Sequence, residues 1–362
     1  MPLRGKFSFY IKALVEHFAR VSFRIDLISM SPPPQNGRTR IAHLFGSDSQ
    51  SGVVQAGGGT VANEGGTDLW RLRSDPRDFV RLHIPRNFER IRARPNLDTV
   101  ATVLNLVTDP ELNPRVLAAA SRFLRGFPGR VVNSPDAVLA TGRDRVSRLL
   151  AGIEGLVVPA VARFKGRPHL AKVAIERAGV TFPAILRRPG THNGEIVALV
   201  PGPEELEARL DPAKTYLLTS FVDTRDADAL YHKIRLYWFG AASLVRHMLV
   251  SDRWNVHGPD RERFMGGHPH WIGVERTLLD RGLDGLPAPA RQAMLGVRAR
   301  MPLDYFGIDF ALLPDGRALL FEANATMNFY PLSTDPRFDY TGAPIEAAAR
   351  TLFDRMLETA DR

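Results

Sequence analysis

Apolar and polar residues along this chain fall into short blocks whose period switches between two and about 3.6 residues. Arg40–Phe45 reads as a first strand, and the apolar run Thr99–Val107 as another. Asn113-Pro114 opens a helix that carries Val116, Leu117, Ala120, Phe123 and Leu124 on one side and runs to about Leu124. Val131–Asn133 follows as a short strand. Strand, helix and strand at this spacing predict a parallel unit, so residues 41–133 are assigned to a small α/β domain. Residues 1–40 read as an arm, with an amphipathic helix around Phe7–Ala19 and a stiff Pro32-Pro33-Pro34 linker.

Downstream, strands and helices mix differently. Ser134-Pro135 starts a helix expected to run to about Leu150, and Val157–Val161 reads as a strand. His169–Ala178 has helical spacing. Val180–Leu186 and Ile196–Val200 are strands on either side of a loop rich in glycine and small polar residues, which includes Arg187, Arg188, Gly190, Thr191 and His192. The backbone N–H groups of such a flap can cap phosphate oxygens. After a short helix at Pro203–Leu210, Tyr216–Asp223 reads as a strand. Tyr231–Phe239 and Ala242–Val250 form a hairpin about Gly240-Ala241. Alternation puts Tyr231, Lys233, Arg235 and Tyr237 on one face and His232, Ile234, Leu236 and Trp238 on the other. Lys233 and Arg235 read as an anion-binding wall, although surface charge explains Lys233 equally well. Helices at Pro287–Met301 and Ile345–Leu357 complete an α+β region over residues 134–362.

The most informative stretch is Gly307–Asn324. Two apolar runs flank Pro314-Asp315-Gly316, which reads as a β-hairpin. A two-residue turn at Asp315-Gly316 pairs Leu313 with Ala318 and, counting back, Asp309 with Glu322. Glu322 and Asn324 then share a face. Directly paired residues have Cβ atoms about 4.5–5.5 Å apart, where like charges repel. Either a divalent cation or nearby arginines must neutralise the two carboxylates. An all-oxygen set of this kind suits Mg²⁺. A three-residue bulged turn would break this register.

Asp309, the turn, and Glu322-x-Asn324 at a strand end resemble the magnesium-binding hairpin of the ATP-grasp superfamily. The nearest flavour is the glutathione synthetase-like branch, which includes the ligase that adds glutamates to a ribosomal protein. The resemblance runs from about Asn133 to Leu332 and takes in the Ser134-Pro135 helix, the paired Leu149-Leu150 and the Val158-Pro159 strand. It implies an ATP-grasp fold, with two α+β lobes clamping ATP, preceded by a small α/β domain. It implies that Asp309, Glu322 and Asn324 hold one or two Mg²⁺ ions, with Mn²⁺ as a substitute. It puts Arg143, or Arg145 in the alternative register, where the family has a phosphate-binding lysine. Arg188 stands at a second such lysine position, with the flap residues Gly190 and Thr191 after it. Backbone groups of Ser220 and Val222 would meet the adenine edge, Asp223 the ribose, and Lys233 the nucleotide. Arg235 and Arg246 would face phosphate or a substrate carboxylate. The two arginines in place of lysines, and the absence of an acidic residue at Ser220, depart from the family pattern. The implied activity is ATP-dependent joining of a small-molecule or peptide carboxylate to an amine. A kinase-like phosphotransferase and a non-catalytic nucleotide- or nucleic-acid-binding protein are the alternatives.

Composition narrows the classes further. The chain has 362 residues, 44% of them hydrophobic and 24% charged, as expected for a globular protein of two or three domains. No apolar run approaches the ~18 residues of a membrane span. Lys12 and Glu16 interrupt the N-terminal apolar stretch, unlike a secretory signal, and a cytoplasmic location is expected. The absence of cysteine excludes thiolate metal sites and cysteine nucleophiles. Of the 48 basic residues behind the net charge of +9, six are lysine, and they are scattered. The charge therefore reads as an arginine-rich composition with phosphate binding as a local use, and nucleic acid is not an expected partner. The glycine-rich segment Ser47–Asp68 has neither a Walker ending nor Gly-x-Gly-x-x-Gly spacing, and reads as a surface loop.

Overall fold

The computed structural model describes residues 40–49, 53–56, 60–63, 65–73, 79–191 and 195–358. The arm helix at Phe7–Ala19, the triple proline, Gly57–Gly59 and His192 lie outside the described residues. The chain opens with β1 (Arg40–Phe45), a ribbon of β2 (Val53–Ala56) and β3 (Thr60–Asn63), and β4 (Phe79–His83). It continues through β5 (Val100–Asn105), helix α1 (Pro114–Leu124) and β6 (Arg130–Val132). β4, β1, β5 and β6 pair in that order, all parallel. A parallel sheet is covered on both faces, so β1 and β5 read as apolar runs and not as alternation. Helix α1 starts where expected. The Asp48 carboxylate caps it by accepting the N–H groups of Arg115 at 3.0 Å and Val116 at 2.8 Å.

The single helix expected over Ser134–Leu150 forms as two, α2 (Pro135–Leu139) and α3 (Arg143–Leu150). The Thr141 hydroxyl bonds back to the Val138 carbonyl at 2.7 Å, and Gly142 is extended with ψ of 149°, so the helical ladder stops and restarts. Arg143 thereby sits on the first turn of a new helix. The expected strand Val157–Val161 is likewise divided. β7 (Leu156–Val157) joins one sheet and β8 (Val161–Lys165) another, with Pro159 in the crossing between them.

Next come α4 (Pro168–Ala178), β9 (Ala184–Arg187), β10 (Ala198–Val200), α5 (Pro203–Glu207) and β11 (Thr215–Ser220). The antiparallel sheet β10-β9-β11-β8 buries Ala162, Phe164, Ala184, Leu186, Tyr216 and Leu218 against Ala171 of α4. Alternation leaves Arg163, Ile185, Arg187, Leu217 and Thr219 on its other face.

The third sheet contains β12 (Tyr231–Phe239) and β13 (Ala242–Ser251). It follows these, after α6 (Asp260–Arg263), α7 (Pro269–Arg281) and α8 (Ala288–Arg300), with β14 (Tyr305–Leu312) and β15 (Ala318–Asn324). Its order is β13-β12-β14-β15-β7, and α9 (Ala343–Glu358) closes the chain. Ile234, Leu236, Trp238, Phe306, Ile308 and Phe310 face a core shared with Ala290, Met294 and Val297 of α8. The opposite face is apolar at one end, where Tyr237, Phe239 and Tyr305 meet Phe353 of α9. At its other end lie Lys233, Arg235 and Asp309.

The hairpin turn is not the two-residue one expected. The loop is Pro314-Asp315-Gly316, closed by Leu313 N–H to Arg317 O at 2.8 Å and Gly316 N–H to Leu313 O at 2.9 Å. Gly316 takes a φ of +82°, the left-handed conformation such a turn requires. Leu312 therefore pairs with Ala318, one residue out of the expected register. A β-bulge between Asp309 and Phe310, with Phe321 as the extra residue, restores the pairing, and Asp309 stands opposite Glu322.

The first and third sheets are joined tightly at Asn133. Its side chain donates to Tyr305 O at 2.7 Å and accepts Tyr305 N–H at 2.9 Å, and its backbone N–H donates to Asp304 at 2.8 Å. Among the described residues no helix is long and apolar enough to cross a membrane.

Candidate active site

The second and third sheets and the loop after β5 enclose a cleft with about 740 Å³ of space between atoms, part of it open to solvent. Asp109 and Glu111, Arg143, the flap residues Arg188, Gly190 and Thr191, and Glu322 and Asn324 all line it. Gly190 has φ of +74°, and a Cβ there would stand 2.7 Å from Leu112 Cδ2, so glycine lets the flap approach the first sheet's loop.

Opposite Glu322 on β14, Asp309 is 6% exposed and held by Arg235 through two parallel hydrogen bonds, Nε to Oδ1 at 2.7 Å and Nη2 to Oδ2 at 2.8 Å. Lys233 Nζ lies 3.7 Å from Asp309 Oδ2. Burial disfavours the Arg235 charge, but the charge of Asp309 outweighs it and raises the guanidinium pKa. Glu322 is ion-paired with Arg143, whose Nη1 also donates to Phe321 O at 3.2 Å. Asn324 Nδ2 donates to Glu322 Oε1 at 2.6 Å. Asn324 Oδ1 accepts the N–H groups of Thr326 at 2.9 Å and Met327 at 3.0 Å, which turns the chain into the next loop.

Asp309, Glu322 and Asn324 offer oxygen donors only, the chemistry that magnesium takes. Among the described residues no group of three His, Cys, Asp or Glu side chains is placed to hold a metal. Two carboxylates and an amide thus make up the candidate donor set, and Arg143, Arg235 and Lys233 supply the positive charge beside it.

The remaining expected residues divide into those the cleft gathers and those it does not. Arg188 is exposed at the cleft mouth, and Thr191 Oγ1 donates to its carbonyl at 2.8 Å. The arginine that faces inward is its neighbour Arg187, on the same side of β9 as Ile185. Burial, and then the like charge of Arg143, push its pKa down to about 10, with Glu322 opposing the shift. Among the described residues no carboxylate forms an ion pair with Arg187, and its Nη1 donates to Glu195 O at 3.2 Å. Ser220 ends β11, and its hydroxyl accepts the Thr181 N–H at 2.9 Å. Val222 lies beyond the strand, and the exposed Asp223 pairs with Arg225. Arg246 is 5% exposed and does not reach the cleft surface. It donates to the carbonyls of Phe329 at 3.3 Å, Thr341 at 3.2 Å and Pro331 at 3.5 Å, and so holds the loop after the hairpin. These three carbonyls are the partners of its guanidinium, while a contact with phosphate or substrate is the role expected from the sequence. Arg145 donates to Leu139 O at 2.6 Å on the surface, leaving Arg143 as the cleft residue.

Three features of the site escaped the sequence reading. Arg163 on β8 bridges Glu111, in the loop after β5, and Asp144, and so ties two sheets together at the cleft edge. Glu111 follows the C-terminal end of a parallel strand, where α/β sheets place their ligands, and that position was the available signal. His247, opposite Arg235 on β13, is pushed well below its usual pKa by burial first and then by Arg235, Arg246, Arg261 and Lys233, so it stays neutral in this basic wall. Gly307, two residues before Asp309, has Met327 against it. A Cβ there would stand 2.6 Å from Met327 Sδ, so only glycine lets the post-hairpin loop pack.

No known family profile matches the sequence, and no curated protein matches it either. In architecture the chain is similar to solved ATP-grasp ligases. A RimK domain ATP-grasp protein from Sphaerobacter thermophilus is 15% identical, with 88% of this chain and 99% of that chain covered and a TM-score of 0.47. The VanG D-Ala:D-Ser ligase from Enterococcus faecalis is 13% identical over 88% of this chain and 98% of that one, with a TM-score of 0.49. The D-alanine–D-alanine ligase from Bacillus anthracis is 11% identical over 89% and 99%, also with a TM-score of 0.49.

Proposed function

We propose that the chain is an ATP- and magnesium-dependent carboxylate–amine ligase of the ATP-grasp kind. The observation that carries this reading is a charge imbalance. Arg143, Arg187, Lys233 and Arg235 stand around two carboxylates, Asp309 and Glu322, so positive charge is in excess locally about this pair, while Glu111 at the cleft edge is taken up by Arg163. A polyphosphate matches that excess. Gly190 and Thr191 offer backbone N–H groups from the flap, and the strand end after Ser220 is the candidate seat for the base.

Asp309, Glu322 and Asn324 would hold magnesium, which when bound would supply positive charge to a phosphate group. On nucleotide binding, Arg143 and Arg235 would exchange part of their contact with the carboxylates for contact with phosphate. The substrate carboxylate oxygen then attacks the γ-phosphorus, and the bond from that phosphorus to the ADP oxygen breaks. The amine nitrogen attacks the acyl carbon of the resulting acylphosphate, phosphate leaves with the electron pair of the C–O bond, and the amine loses a proton. The residues contribute charge and position, and no protein nucleophile is needed.

A second reading, nucleotide binding without ligation, is favoured by one observation: both carboxylates and the Asn324 amide oxygen already engage cationic or N–H donors. Release of ADP with Mg²⁺, across a panel of amino acids, peptides and small acids, decides between the two. Product mass separates an amide from a phosphorylated acceptor. Failure of ATP to bind at millimolar concentration overturns both.

A further inference from the structure

A second pocket lies away from the cleft, where Asp68 and Arg71 meet Tyr330–Leu332 and helix α9, and it holds about 900 Å³ of space that opens to solvent. Arg71 stands over Tyr330, its guanidinium carbon 3.9 Å from the ring centroid. The ring face holds the guanidinium by a cation–π contact, and Asp68 and Glu346 feel its charge, but among the described residues no carboxylate is ion-paired with it. Glu346 stands across the pocket. Its Oε1 accepts from the Tyr330 hydroxyl at 2.7 Å and from Arg350 Nη2 at 2.5 Å, while its Oε2 accepts nothing among the described residues. Arg350 is further fixed by donating to Arg73 O at 3.1 Å. Asp68 adds a second carboxylate, fastened by the N–H groups of Phe329 at 2.9 Å and Tyr330 at 3.0 Å. Pro331 and Leu332 give the pocket an apolar side.

A lone anion here would face Glu346 and Asp68, and a lone cation would face Arg71 and Arg350. A small molecule carrying both charges satisfies the charge of Arg71 and the free oxygen of Glu346 together. We propose that this pocket seats a zwitterionic α-amino acid, its carboxylate on Arg71 and its ammonium on Glu346. The loop that forms the pocket also reaches the cleft. Asn324 begins it at the hairpin, and the Asn328 carbonyl accepts from Tyr237 Oη at 2.7 Å and from Arg235 Nη1 at 3.5 Å. The same Arg235 holds Asp309.

The test is a calorimetric titration of the full chain with the common α-amino acids, followed by the N-acetyl and methyl-ester derivatives of the tightest binder. Arg71→Met and Glu346→Gln are titrated in parallel, and ATP affinity is measured separately on each protein. At least one amino acid should bind, and loss of either charge, on ligand or protein, should weaken it by about tenfold or more. ATP affinity should not change in Arg71→Met, whose side chain is exposed and outside the cleft. Absence of amino-acid binding, or equal binding to wild type and both variants, overturns the proposal. Amino-acid binding without any ATP binding would remove the ligase reading and keep the pocket's ligand.

Discussion

Arg235 and Asp309 lie opposite each other on β12 and β14 and share two parallel hydrogen bonds of 2.7 and 2.8 Å. By shape alone, Asp309→Asn should spare the fold. The ion pair alters that expectation. An amide cannot balance the Arg235 guanidinium, and breaking a buried pair from one side costs about 3 kcal/mol. Asp309→Asn should therefore lose turnover and about that much stability in denaturant unfolding. The double variant Asp309→Asn/Arg235→Met should recover much of the stability without recovering activity. A single variant as stable as wild type would show that the pair is not coupled as described.

Arg187 and Arg188 separate two kinds of arginine. Arg187 is largely buried, near enough to Arg143 and Glu322 to feel both charges, and with a pKa of about 10 it keeps its proton at neutral pH. Arg188 is exposed. Arg187→Met should raise the Kd for ATP by about tenfold or more, the scale of a lost charge-assisted hydrogen bond. Arg188→Met should change it by less than about threefold. The reverse ranking in a titration would return the phosphate contact to Arg188.

The faces of β12 were legible because alternation depends on local sequence alone, and the structure keeps Lys233, Arg235 and Tyr237 together. The opposition of Asp309 and Glu322 was also legible, but by way of two offsetting irregularities. The Pro314-Asp315-Gly316 turn adds one residue to the loop, and the bulge at Phe321 adds one to β15. A bulge is set by tertiary packing around the strand, and the residues themselves do not announce it. The division at Gly142 and the sheet change at Pro159 were missed because helical and strand patterns extend across both points. Arg246 was placed at the ligand because strand position does not reveal depth, and here the loop from Phe329 to Thr341 covers it.

That covering defines a test for Arg246. Its three carbonyl contacts serve the loop that carries Tyr330 and leads back to Asn324, and none of them reaches the cleft. Arg246→Met should leave buried carbonyls without donors and cost about 2–3 kcal/mol in unfolding experiments. ATP affinity, measured at a temperature where the variant is folded, should stay within about threefold of wild type. A normal melting temperature with a large loss of ATP affinity would restore the direct role.

The last test concerns Arg163, which receives Asp144 from α3 and Glu111 from the loop after β5. Burial alone would raise the pKa of Asp144, but hydrogen bonds and charge from Arg163, then Arg148, outweigh it and hold the carboxyl below its usual value. A depressed folded pKa means that the unfolded chain binds the proton more tightly. The stabilisation is therefore complete above the ordinary carboxylate value of about 4 and is lost as pH falls through the lower folded value. Asp144→Asn lacks this term at every pH. Wild type should be the more stable protein near neutrality, and the two unfolding curves should converge below about pH 4. Because the same contacts close the cleft edge at Gly142 and Glu111, ATP affinity of the wild type should weaken over that acid range, while the variant begins weak and changes less. A constant stability gap from neutral to acid pH would show that Asp144 contributes through packing and not through its charge.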